Sequence, residues 1–117
     1  MRIAHVTATF PPYLGGTGTV VLHQAIELAR RGHDVRVITA AASPPGAEHV
    51  SPPGVEVRRL PVRLRLGNAP WLIGLDRALA DVELVHLHYP FYFGGEAVWR
   101  FCTRRRVPYV VTYHQDV

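Results

Sequence analysis

Three short stretches of this 117-residue chain carry groups able to do chemistry. Gly15-Gly16-Thr17-Gly18 lies between an apolar opening run and an amphipathic one. Without Cβ atoms the backbone there can approach a ligand closely, and the first N–H groups of a following helix can hold a diphosphate. His86-Leu87-His88-Tyr89-Pro90 sets two imidazoles two residues apart, on one face of a strand. Thr112-Tyr113-His114-Gln115-Asp116 delivers a further imidazole. At a strand end it can donate a hydrogen bond to a sugar hydroxyl or a phosphate, or move a proton.

Each stretch also has a plainer reading. Glycines punctuate turns, and a strand-end histidine is often merely solvated. His86 reads as a packed core residue, with His88 and Tyr89 at the mouth as the better ligand contacts. Three histidines could hold zinc. The segment around His86 and His88 lacks the carboxylate or cysteine that would strengthen that reading, so no metal is expected. A dinucleotide fingerprint fails, because Val21 stands where its last glycine or alanine belongs. Thr39 and Ala40 end the second strand where a ribose-binding acid would sit, which disfavours a nicotinamide-dependent oxidoreductase.

Composition narrows the classes. The thirteen Lys and Arg residues are all arginine, which excludes a Walker lysine, a Schiff-base lysine and a lysine general base. A net charge of +4 favours an anionic partner such as a phosphate ligand or an acidic lipid surface. Arg58, Arg59, Arg63 and Arg65 form one cluster, read as a solvated face or a contact to such a partner. Arg104–Arg106 suit a helix C-terminus. The arginines are neither interleaved with exposed aromatics nor gathered on one recognition helix, so no nucleic-acid partner is expected. Cys102 is the single cysteine, read as a small buried hydrophobe. The chain opens directly on a strand pattern, without signal-peptide regions, and no apolar run approaches the roughly 20 residues of a membrane span. The expected location is the cytoplasm, with peripheral contact at the inner face of the membrane compatible with the charge.

The elements that must position these groups follow from periodicity. Arg2–Ala8 reads as a strand covered on both faces, and Thr17–Arg31 as a helix closed by Gly32. Val35–Ala40 is a second strand, Ser43–Gly54 a loop rich in proline and glycine, and Val55–Leu60 a half-exposed edge strand. Pro61–Asn68 reads as a strand or an extended loop. Pro70 suits the first turn of a helix running to about Ala80. Glu83–His88, Gly95–Arg106 and Pro108–His114 complete the pattern as strand, helix and strand. The chain is expected to form one α/β domain, a Rossmann-like open parallel sheet in the order 3-2-1-4-5 with helices on both faces. Its ligands should gather at the carboxyl ends of the strands, where Thr9–Gly18, His86–Gly95 and Thr112–Val117 converge.

Taken together, "RIAHVTATFPPYLGG", "ELARRGHDVRVIT", "VELVHLHYP" and "VPYVVTYHQDV" resemble the N-terminal domain of family-4 glycosyltransferases, which have the GT-B fold. The resemblance covers essentially all 117 residues. It implies the acceptor-side half of a metal-independent, retaining transferase, whose second, nucleotide-sugar domain is absent from this chain. By that resemblance Gly15 and Gly16 approach the donor diphosphate, and His114 lies at the transferred sugar as the catalytic candidate. Tyr13, His88, Tyr89 and Asp116 are the acceptor contacts it suggests. The implied partners are a nucleotide sugar, a lipid-linked or cell-envelope glycan acceptor, and the second domain; the chain alone is expected to be inactive. A non-catalytic sugar- or phosphate-binding module lacking transferase activity stays open as the alternative.

Overall fold

The computed structural model describes residues 1–11, 16–41, 52–66 and 69–114. The elements are β1 (Arg2–Val6), α1 (Gly16–Arg30), β2 (Asp34–Ala40), β3 (Val55–Leu60), β4 (Val62–Leu66), β5 (Ala69–Leu72), α2 (Leu75–Ala78), β6 (Leu84–Tyr89), α3 (Gly94–Arg105) and β7 (Tyr109–Tyr113). Five strands form one sheet in the order β3-β2-β1-β6-β7, every neighbouring pair parallel. This is the expected order, with two extra strands inserted in the sequence between its third and fourth members. No described helix is long and apolar enough to cross a membrane.

The insertion corrects the reading of residues 61–80. Val62–Leu66 is a strand, and it pairs antiparallel with Ala69–Leu72 in a separate two-stranded sheet. The helix expected from Pro70 to Ala80 shrinks to Leu75–Ala78. Pro70 suits a strand of this kind as well as a helix start, and pairing to the Arg-Leu alternation of β4 decides between them.

Alternation along the strands divides the interior. On one face Ala4, Val6, Ile38, Val85 and Leu87 pack with Leu75 of α2, with Leu79 just after it, and with Val98 and Phe101 of α3. Cys102 lies buried in the same layer, where burial raises its thiol pKa. Arg36, also on that side, is buried; its guanidinium donates to the Ala78 carbonyl at 2.8 Å and to Asp81 Oδ1 at 2.8 Å. That bond holds the Asp81 carboxyl below the usual range. On the other face Val35, Val37 and Val55 pack against Val21 and Ala25 of α1, with Phe10 beside them.

The first turn of α1 is set by close approach. A Cβ on Gly18 would lie 3.0 Å from Phe10 Cα and 3.1 Å from the Thr9 carbonyl oxygen, both backbone atoms with little freedom to yield. A Cβ on Gly16 would meet nothing within 4 Å among the described residues. Gly18→Ala should therefore destabilise the fold by about 1–3 kcal/mol through overpacking, while Gly16→Ala leaves stability nearly unchanged. Urea denaturation midpoints of the two variants check this; equal midpoints would refute the close approach.

Candidate functional site

In a parallel sheet all carboxyl ends meet at one edge, so the exits of β1, β6 and β7 share a border. The exit of β1 is pinned. Thr7 is buried, and its hydroxyl donates to the Thr9 carbonyl at 2.8 Å. Arg59, at the end of β3, donates to the Pro11 carbonyl and lies over the Phe10 ring at 5.8 Å. The chain re-enters the described structure at Gly16, the first residue of α1, with open space around it. Between β6 and β7, the His114 N–H donates to the Tyr89 carbonyl at 2.8 Å, which carries the pairing past the last residue of β7.

A row of histidines crosses the α1 face of the sheet. His5 on β1 stands opposite His86 on β6, and His88 follows one pleat later. His5 Nδ1 and His88 Nε2 are 2.9 Å apart, as are His88 Nδ1 and His114 Nε2. The His86 and His88 rings stack at 4.2 Å, and His86 Nε2 reaches the Thr112 hydroxyl at 2.6 Å. Aliphatic packing under α1 thus gives way to imidazoles from β1 outward to β7.

This arrangement reverses the expected roles of His86 and His88. His88 is 1% exposed, enclosed by the rings of His5, His86 and His114. His86 is half-buried beside a recess of about 330 Å³ that it lines with His5, Gln24, Glu27, Leu28 and Arg31. The recess lies between the C-terminal half of α1 and the sheet. His88 is therefore an internal residue that meets the mouth only through half-buried His114.

Burial is the leading cause of the pKa shifts. It lowers His5 to about 4 and His88 to about 2, with neighbouring histidine charges adding to the effect. His86 is lowered in the same way. Ligand atoms of His5, His86 and His88 lie within 4.8 Å of one another, a spacing that could hold an ion. Both His88 nitrogens and His86 Nε2 are engaged by neighbouring side chains, while His5 Nε2 has no partner among the described residues.

Of the other residues singled out from sequence, Tyr89 is half-buried, its ring 6.0 Å from Tyr113 and 5.9 Å edge-on from Tyr92. Tyr13, Gly15 and Asp116 lie outside the described residues. The arginine cluster is largely occupied: Arg58 pairs with Glu56, Arg59 anchors the β1 exit, and Arg63 lies over Trp71 at 5.5 Å. Sequence reasoning missed His5, Tyr92 and Tyr113. The alternation of His5 with Ala4 and Val6 was a signal for His5, since it puts a polar ring on the face opposite those apolar side chains.

Residues 15–117 match the family model described as "Glycosyl transferase 4-like domain". A D-inositol 3-phosphate glycosyltransferase from Nocardia farcinica is 35% identical over 86% of this chain and 25% of its own length. A GDP-mannose-dependent alpha-mannosyltransferase from Corynebacterium glutamicum is 32% identical over 100% of this chain and 30% of its own. A solved sucrose-phosphate synthase from Thermosynechococcus elongatus superposes with a TM-score of 0.66 over 97% of this chain and 33% of its own, at 18% identity, and shows the same fold. The chain thus spans a quarter to a third of these proteins.

The buried imidazoles impose a pH dependence. Their folded-state pKa values lie below the ordinary 6.5, so the unfolded chain takes up protons first as pH falls. Stability is full above about 6.5 and lost below it, by about 2 kcal/mol for His5 alone by pH 5. Urea midpoints measured from pH 7.5 down to 4.5 should fall accordingly. A flat profile over that range would show that these rings ionise freely in the folded state.

Proposed function

We propose, for a chain that belongs to the glycosyl transferase 4-like family, that it forms the acceptor-side N-terminal domain of a retaining, metal-independent glycosyltransferase with a GT-B fold. The observation that carries this reading is the shared carboxyl edge, where the glycine-led start of α1, Tyr89 and His114 follow parallel strands of one sheet. The donor is a nucleotide sugar and the acceptor a lipid-linked or cell-envelope glycan precursor. Relatives named for GDP-mannose and for inositol phosphate match at similar identity, so the donor is kept at the level of its class.

In this reading the N–H groups at the start of α1 and the Gly15-Gly16 backbone approach the diphosphate, where a helix N-terminus favours negative charge. His114 meets the transferred sugar, and Tyr13, Tyr89 and Asp116 contact the acceptor, with His88 acting behind His114. Catalysis requires a second domain, because charge developing on the leaving diphosphate must be met from both sides with water excluded. One half alone leaves the cleft open.

The 117-residue chain, titrated with UDP- and GDP-sugars, should therefore bind weakly and transfer nothing. Micromolar binding with measurable transfer would sink the divided site, and micromolar binding without transfer would favour a plain binding module. Joined to a nucleotide-binding second domain, the enzyme should lose about 10²-fold in turnover on His114→Ala. Gly16→Val should weaken donor use while the fold persists, because open space surrounds that position; unchanged donor use would remove Gly16 from the site.

A further inference from the structure

We infer that His5 and His88 are positioning residues that hold His114 in one tautomer, with Nε2 accepting inside the protein and Nδ1–H left to the ligand. The inference deepens the proposed function and rests on its placement of His114 at the transferred sugar. It starts from two contacts of equal length, His5 Nδ1 to His88 Nε2 and His88 Nδ1 to His114 Nε2, each 2.9 Å.

A neutral imidazole carries one N–H and one lone pair, so a bond made by one nitrogen decides the state of the other. Burial keeps His5 and His88 neutral near pH 7. With one N–H on each ring, the two contacts allow two proton orders. In one, His5 donates to His88, His88 donates to His114, and His114 keeps its proton on Nδ1. In the other, every donation runs the opposite way, His114 carries Nε2–H, and the last proton sits on His5 Nε2.

The inner end of the chain decides between them. His5 Nε2 is buried and has no partner among the described residues. The second order would strand an N–H there, while the first strands only a lone pair. Buried unpaired N–H groups are the rarer defect, while an acceptor left with a free lone pair is better tolerated. The outer end imposes no such choice, because His114 is half-exposed. The protons therefore run outward from His5. His86, stacked on His88 at 4.2 Å, braces the middle ring against rotation.

The consequence is chemical. His114 meets its ligand as a hydrogen-bond donor, suited to a sugar hydroxyl or a phosphate oxygen, and not as a base with a free lone pair. Its character is set by a side chain on the central strand with which it has no direct bond.

Two-bond ¹H–¹⁵N correlation spectra of the ¹⁵N-histidine-labelled 117-residue chain at pH 7.5 read each tautomer directly. His5, His88 and His114 should all show the Nδ1–H pattern. His88→Asn, whose amide nitrogen reproduces donation from Nδ1, should leave His114 unchanged. His88→Leu should release His114 to the mixture, rich in Nε2–H, of a solvated ring. An Nε2–H signal for His114 in the wild-type chain overturns the inference, and so does a His114 tautomer that ignores His88→Leu in a folded chain. The wild-type spectrum decides even where a variant does not fold. No donor, acceptor or turnover enters the measurement, so its outcome is independent of the His114→Ala transfer assay that tests the function itself.

Discussion

Parallel pairing of β1 on both sides is the constraint from which the site follows. Val6 is matched to Ile38 of β2 and to Leu87 of β6, so both neighbours run the same way and end at the same border. A slip of one residue on β6 would turn His86 and His88 into the layer built from Leu79 and Phe101, and Val85 and Leu87 toward the histidine face. Apolar burial on one side thus enforces the histidine row on the other.

That row is an unusual use of an interior. Among the described residues, His5, Arg36, Thr39 and His88 are buried polar or charged positions within the sheet, and Thr7 lies just past the end of β1. Arg36 is matched by a carboxylate and a carbonyl, as a buried charge must be. Burial keeps His5 and His88 neutral, and the two rings bond to each other. An aliphatic set in their place would pack without orphaned nitrogens, so the site departs from what stability alone would select.

Much of this was legible from sequence because it rests on local pattern. The five central strands declared themselves by apolar or alternating runs, and α1 by its stripe and Gly32. Residues 61–72 misled because Pro70 fits two structures, and only pairing with β4 separates them. Gly67-Asn68, between the Arg-Leu alternation and Ala69, was the unused hairpin signal. The opposite burial of His86 and His88 was not readable. It depends on partners 83 and 26 residues distant and on the gap left between α1 and the sheet. The same holds for Gly18, whose tight neighbours are backbone atoms of Thr9 and Phe10, while Gly16 stands in open space.

The outer border of β7 has its own implication. Val110 and Val111 point to opposite faces, yet are 49% and 51% exposed, and Tyr113 lies open beside them. Within the described sheet β7 is terminal, and it carries neither a charge nor an internal proline to repel another strand. Among the described residues, that border presents unpaired backbone groups to which a further strand could add. A strand annexed there in parallel would bring its own carboxyl end next to His114, enlarging the range of ligands without moving the histidines.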